Sequence, residues 1–349
     1  MLFLSYIDTA REAAEHLVKQ IVYFLFISLT TIATSAFAGP ESLSMFDPVS
    51  PAATPIRDLF MLVFGVIGII FVITEGALVW SIIRYKAKGD ETTEPPQIYG
   101  SNPIELAWTV IPVIIVFILF LVTTRSIYSL DLQEAPEGAL KVKATGHQWW
   151  WEFEYEDLGI TTAGELHVPL GVPVFVELRS ADVIHSFWVP RLAGKIDCIP
   201  NRENHLWFQA DELGTWYGQC AEFCGTQHAK MFIRVISDTQ DDFETWVANQ
   251  LNPAVEMPTK LHGKDVFLSL ACLNCHNVQG VTMAGGFGPD LTHLMSRKTI
   301  ASGAAENTTE NLRAWLQNPD SIKEGALMPN MMLRDAQLDA LVEYLQTLK

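Results

Sequence analysis

Side chains able to hold a soft metal crowd into one stretch, Cys220-Ala-Glu222-Phe-Cys224-Gly-Thr-Gln-His228-Ala-Lys-Met231, and His185 lies 35 residues before it in Asp182-Val-Ile-His185-Ser-Phe-Trp-Val-Pro190. Two thiols, two imidazoles and a thioether result. Thiolate and thioether are soft donors, and imidazole suits copper. Three chemistries compete for these residues. A Cys₂His₂ zinc site tolerates the cysteine spacing. A plain disulfide suits an oxidising compartment. Copper accounts for the most residues, because a thioether is a weak axial ligand in copper electron-transfer sites and has no part in structural zinc. A β-rich context, with a distant histidine reaching in from another strand, fits that choice.

A second constellation is Cys272-Leu-Asn-Cys275-His276. C-x-x-C-H is the attachment pattern of a c-type haem, with two thioether bonds and the histidine as proximal iron ligand. A methionine as sixth ligand raises the potential. Met328 in Ala326-Leu-Met328-Pro329 is the candidate, with Met331 and Met332 as competitors. A thioredoxin-like redox pair needs a βαβ context and leaves His276 unexplained. His262 and His293 read as surface or capping residues.

The elements that position these groups can be read from composition and periodicity. The chain has 349 residues, enough for two or three domains. It is 49% hydrophobic and 18% charged, with mean hydropathy +0.19. That is too apolar for a disordered chain or an ordinary soluble enzyme, so membrane segments are expected. Residues 59–83 run uncharged but for Glu75 between Asp58 and Arg84, roughly 37 Å as a helix. Residues 106–124 carry no charge between Glu105 and Arg125, and Pro112 within them is tolerable in a membrane helix. A pair of buried core helices is the other reading, and length without charge argues against it. Glu75 is expensive in lipid and is expected to face another subunit or to snorkel. The loop Arg84-Tyr85-Lys86-Ala87-Lys88 is basic, which places it in the cytoplasm and everything after residue 130 outside. Residues 1–38 read as a signal peptide. A short apolar run ends in Thr34-Ser35-Ala36-Phe37-Ala38, although Asp8, Glu12 and Glu15 sit poorly in its first part. The hairpin then spans residues 39–130.

Residues 131–250 hold short β-branched runs punctuated by Gly and Pro, the pattern of a β-sandwich or barrel. A Pro-containing link over 252–258 leads to a helical domain within 251–349, whose last segment places Leu338, Leu341, Val342, Leu345 and Leu348 on one face. The net charge of −17 divides as −4, −11 and −2 over residues 1–130, 131–250 and 251–349. This acidity excludes a nucleic-acid binder and favours a basic protein partner docked on the middle domain.

The copper residues carry the spacing H-x₃₄-C-x-E-x-C-x₃-H-x₂-M, which resembles the binuclear copper (CuA) motif of subunit II of haem–copper cytochrome c oxidases. Three other stretches are similar to that family: Gly146-His-Gln-Trp149-Trp-Trp151, Asn102-Pro-Ile-Glu105-Leu-Ala-Trp108-Thr-Val-Ile-Pro112 and Gly194-Lys-Ile-Asp197-Cys-Ile-Pro200-Asn-Arg202. The resemblance covers residues 55–250, and residues 258–349 resemble class I cytochrome c. A fusion of the two resembles the caa₃-type oxidases. The resemblance implies a multi-domain membrane protein: a two-helix hairpin, a cupredoxin β-sandwich or barrel, and an all-α cytochrome c domain. It implies that Cys220 and Cys224 bridge two coppers, that His185, His228 and Met231 ligate them, and that Glu222 gives its backbone carbonyl. The Glu222 carboxylate would face a Mg or Mn ion shared with subunit I. Trp149 would be where electrons enter, whereas Trp150 and Trp151 read as strand packing. Glu105 would mark a proton-pathway entrance, against the plainer reading of an acid at a helix N-terminus. Glu152, Glu154, Glu156, Asp157 and Asp182 would dock a basic cytochrome, unless the fused domain occupies that face. Cys198 reads as a buried free thiol.

The expected function is that of an electron-transfer subunit, passing electrons from an external donor through haem c and CuA to subunit I, where oxygen is reduced with proton pumping. Subunit I, subunit III and cytochrome c or another donor are the implied partners, at a bacterial inner membrane with both metal domains on the periplasmic face. A nitric or nitrous oxide reductase component is disfavoured by the Glu105 pattern. A copper carrier has no use for a haem, and the quinol oxidase branch lacks the copper ligands.

Overall fold

The computed structural model describes residues 43–86, 94, 96–132, 134–254 and 261–349, with residues 20 and 23. The expected signal peptide over 1–38 and its cleavage pattern lie outside the described residues, those two positions apart. Two long helices come first, α1 (Thr54–Arg84) and α2 (Asn102–Leu130). Both are long and apolar enough to cross a membrane, and neither buries a residue within the chain. Each opens on a proline at the first or second helical position, where its missing N–H costs nothing. Pro112 lies inside α2, which continues past it to Leu130.

The far ends of both helices meet the next domain. Val49, Ala52 and Ala53 are buried just before α1, and Leu130 at the end of α2 packs on the same core. Arg191 fastens the approach: its guanidinium donates to the Asp47 carbonyl (2.7 Å) and carboxylate (2.6 Å). The Val49 N–H donates to the Arg191 carbonyl, 2.9 Å. The basic loop is therefore at the opposite end of the hairpin from the β domain.

That domain consists of β1 (Leu140–His147), β2 (Trp150–Tyr155), β3 (Ile160–Ala163), β4 (Glu165–Pro169), β5 (Pro173–Ser180), β6 (His185–Trp188), β7 (Ile196–Cys198), β8 (Asn204–Gln209), β9 (Gly214–Cys220) and β10 (Phe232–Asp238). They form two five-stranded sheets, in the orders β3-β2-β1-β5-β8 and β4-β10-β9-β6-β7. β1 with β5, and β4 with β10, pair in parallel, and the other pairs are antiparallel. Period-2 alternation builds the core between the sheets: Trp151, Phe153 and Tyr155 of β2 face Leu166 and Val168 of β4, with Val174, Val176 and Leu178 of β5 beside them. Each such side chain, fully buried, contributes about 1.5–3 kcal/mol. Tyr155 also links the sheets by hydrogen bonds, its hydroxyl donating to the His167 carbonyl and accepting from the His167 N–H, both 2.8 Å. Helix α3 (Gln240–Gln250) follows, capped by Thr239.

The last domain packs α4 (Leu261–Ser269), α5 (Thr309–Gln317) and α6 (Asp335–Leu345) around Phe267, Leu312, Leu338, Leu341 and Tyr344. The predicted apolar face of the last helix is the buried one, Leu348 included. Gly263 lets α4 cross α6, since a Cβ there would run into the Ala340 carbonyl and Tyr344. A hairpin of β11 (Thr299–Ile300) and β12 (Ala305–Glu306) faces the β domain. There the buried Glu165 carboxylate accepts from the Lys298 N–H (2.8 Å), the Thr299 N–H (3.0 Å) and the Thr299 hydroxyl (3.1 Å). Arg234 donates to the Thr299 hydroxyl (3.2 Å) and the Gly303 carbonyl (3.3 Å). The Lys230 amine reaches the Ile322 carbonyl at 2.7 Å.

Candidate functional site

The copper residues converge at one end of the sandwich. β9 delivers Cys220 as its last residue, and the connection to β10 carries Cys224, His228 and Met231. The Cys220 N–H closes that loop on the Met231 carbonyl, 2.9 Å. His185 opens β6, the neighbour of β9, so the 35-residue gap collapses to adjacency: its Nδ1 is 3.9 Å from the Cys220 sulfur. The two sulfurs are 3.8 Å apart. His228 Nδ1 lies 3.7 Å and Met231 Sδ 3.9 Å from Cys224 Sγ, and the Glu222 carbonyl is 3.2 Å from Cys220 Sγ. Cys220, Cys224, Met231 and His185 are buried, whereas the Glu222 side chain is exposed.

The hydrogen bond with Cys224 holds the Cys220 thiol well below the usual range, and the Cys220 sulfur in turn pushes Cys224 up. Cysteines bind metal as thiolates, so uptake of metal here is favoured as pH rises. His185 is aimed by Asp182: its Nε2 is 2.8 Å from Asp182 Oδ1, which leaves Nδ1 turned to the sulfurs. Asp182 also accepts from the Gln148 N–H and the Val183 N–H, both 2.6 Å. Burial raises its pKa, but the bonds to His185 and these amides outweigh that and hold it below the usual carboxylate range. Gly146 makes room for the imidazole: a Cβ there would stand 2.8 Å from the His185 ring.

The second centre is a cavity in the helical domain, lined by Cys272, Cys275, His276, Met328 and Arg297. His276 Nδ1 lies 2.7 Å from the Pro289 carbonyl, which as an N–H donor leaves Nε2 to face the cavity. Burial lowers its pKa and keeps the imidazole neutral, the state an iron ligand needs. Gly288 admits the ring, since a Cβ there would be 2.7 Å from it. Arg297 Nε is buried without a protein partner, a donor fitted to an anionic group such as a haem propionate. Met328 packs against the domain core and lines the cavity. Met331 also lines it, while Met332 is 87% exposed. These residues fit a haem.

Trp149 lies between the two centres. Its indole N–H donates to the Cys224 carbonyl at 2.9 Å, beside the Gln148 amide at 2.8 Å, and it lines the cavity of the helical domain. Gly225 turns with φ +115° directly against the ring.

Comparison with known proteins decides the family. "Cytochrome C oxidase subunit II, transmembrane domain" matches residues 38–131, "Cytochrome C oxidase subunit II, periplasmic domain" residues 159–238, and "Cytochrome c" residues 261–349. The cytochrome c oxidase subunit 2 of Alkalihalophilus pseudofirmus is 37% identical over 93% of this chain and 96% of its own length. The chain belongs to the cytochrome c oxidase subunit II family. That of Bacillus subtilis is 32% identical over 95% of this chain and 99% of its own. The quinol oxidase subunit 2 of Bacillus spizizenii, 34% identical, covers only 67% of this chain and 74% of its own. This chain is thus part of a haem–copper oxidase, an oxidoreductase complex, and associates with other oxidase subunits. Its domains imply a CuA centre and a haem. It is a membrane protein with its soluble domains on one side.

Several expected residues of this subunit II chain have other surroundings than the sequence reading gave them. Asp182, expected to dock a partner, also meets His185 Nε2 and accepts from the Gln148 and Val183 N–H groups. Glu154 pairs with Lys143 at 2.8 Å, and Glu152 lies 3.8 Å from His147 Nε2. Asp157 is exposed in a short 3₁₀ turn. Trp151 is core packing, whereas Trp150 stacks on His147 and also lines the haem cavity. Cys198 is buried and unpaired, opposite His185 in the β6–β7 ladder. His293 is buried rather than on the surface, with Nε2 3.0 Å from the Asn252 carbonyl. Glu105 stands in the first turn of α2 and accepts from the Ser101 N–H at 3.3 Å. The sequence reading missed Glu165, Arg234, Arg297 and Lys323. Their only signal was burial-prone context around charged residues, which sequence does not display.

Proposed function

We propose that this chain carries electrons from an external donor to haem c, on to CuA, and then to subunit I at a bacterial inner membrane. The observation that carries this reading is Trp149, hydrogen-bonded to the Cys224 carbonyl and at the same time lining the cavity around His276. When bound, the haem iron and the copper pair each take up and release one electron. The chain's own residues do the rest. Cys272 and Cys275 would attach the haem, and His276 and Met328, which line the same cavity, would hold its iron. Cys220 and Cys224 would hold the coppers through their two sulfurs, 3.8 Å apart, and the pair would supply one-electron chemistry there. His185, His228, Met231 and the Glu222 carbonyl complete the copper ligands. Burial of Cys220, Cys224, His185 and Met231 excludes water and suits electron transfer rather than substrate chemistry. The Glu222 carboxylate, exposed, serves a Mg or Mn ion shared with subunit I. Glu105, at the loop end of α2, marks the proton-pathway entrance on the cytoplasmic side. The external donor docks on the fused domain, since that domain covers Trp149.

Metal analysis and EPR on the full chain, expressed with haem c maturation, test this reading. Two coppers per haem, sharing one unpaired electron, are expected. A single exchangeable copper, or zinc, returns the chain to the metal-carrier alternative.

A further inference from the structure

Lys323 is 3% exposed, at the seam between the β domain and the helical domain. It precedes Met328 on the same loop and lines the same cavity as Trp149. Its amine donates to the Trp149 carbonyl at 2.6 Å and to the Ala301 carbonyl at 3.3 Å. Among the described residues no carboxylate pairs with it. Burial brings its pKa down to about 7. A buried lysine held only by carbonyls is a costly choice where an apolar residue would fill the space. Other contacts cross the seam without touching Trp149: Glu165, Arg234 and the Phe232 N–H hold the β11–β12 hairpin, and Gln227 and Lys230 of the copper loop donate to the Glu324 and Ile322 carbonyls on either side of Lys323.

We propose that Lys323 is a positioning residue for electron transfer: it fastens the Trp149 backbone to the loop that carries Met328, and so sets one fixed separation between the two centres. This rests on the reading of those centres as haem c and CuA. The hydrogen-bonded line runs from the Met328 loop through the Lys323 Nζ to the Trp149 carbonyl, then from the Trp149 indole N–H to the Cys224 carbonyl. One electron leaves the ferrous iron and reduces the oxidised copper pair. No bond to Lys323 forms or breaks, and no proton is consumed. Electron transfer falls off steeply with separation and with gaps in the bonded path, so a loosened Trp149 slows it even when both centres are full.

The test uses the full chain loaded with haem and copper. Optical and EPR spectra of the unchanged chain come first, and absence of either centre overturns the underlying reading rather than the role of Lys323 alone. In Lys323→Met, photoreduction of the haem followed by copper reduction is expected to slow by about tenfold or more, as small misplacements do elsewhere. The dipolar distance distribution between the oxidised centres, read by pulsed EPR, is expected to broaden. Lys323→Gln keeps an N–H donor and is expected to recover a large part of the rate and the narrow distribution. Lys323→Ala carries the same expectation as Lys323→Met if the latter loads poorly. A rate and distribution unchanged in Lys323→Met, or equal loss in the Met and Gln variants, overturns the proposal.

Discussion

Asp182 takes the His185 Nε2 proton side and leaves Nδ1 for copper, and that division of one ring between two partners is the most exact requirement in the copper loop. Asp182→Asn presents a weaker and rotatable acceptor. Copper affinity is expected to fall about 10–100-fold, as for other outer partners of metal-bound histidines, with chelator competition as the measurement. At this scale the clustering of the donors was legible, because Cys220, Cys224, His228 and Met231 sit on one short loop, and the structure brings His185 to them. The bond from Asp182 to His185 was not legible, because an acid three residues before a histidine looks the same whether it faces solvent or the ring. Only the turn that folds it back, with the Gln148 and Val183 amides on its oxygens, decides between the two.

Elements were legible where periodicity is strong. The two long apolar helices, the alternating strands and the amphipathic last helix all follow from pattern, and the helices run further than their uncharged stretches, α1 back through Asp58 and Arg57 to Thr54 and α2 through Arg125 to Leu130. The order of strands was not legible, since β1 pairs with β5 and β4 with β10 across long gaps that no local pattern encodes. Crossing of α4 over α6 was equally hidden, although it depends on one residue. Gly263→Ala is expected to destabilise the helical domain by about 1–3 kcal/mol through overpacking, seen as a lower melting temperature of the haem absorbance. Gly286→Ala, at a position with nothing within 4 Å, is the comparison expected to leave the melt unchanged.

The whole molecule is one electron path because the two soluble domains are docked, and that docking was the least legible feature of all. It joins Glu165 to Lys298 and Thr299 across more than a hundred residues, through a carboxylate and backbone amides that carry no sequence signature. Glu165→Ala leaves two amides in the seam without an acceptor, each costing about 1–3 kcal/mol. Faster amide hydrogen exchange at residues 298–299 is expected, with haem and copper spectra retained. The docked arrangement also gives the haem a high effective concentration at the copper loop, so no collision is needed. Reduction of the copper pair after photoreduction of the haem tests this most directly. The account predicts a rate independent of protein concentration in the full chain. A rate that rises in proportion to concentration, or copper reduced only on adding a separate cytochrome, contradicts it.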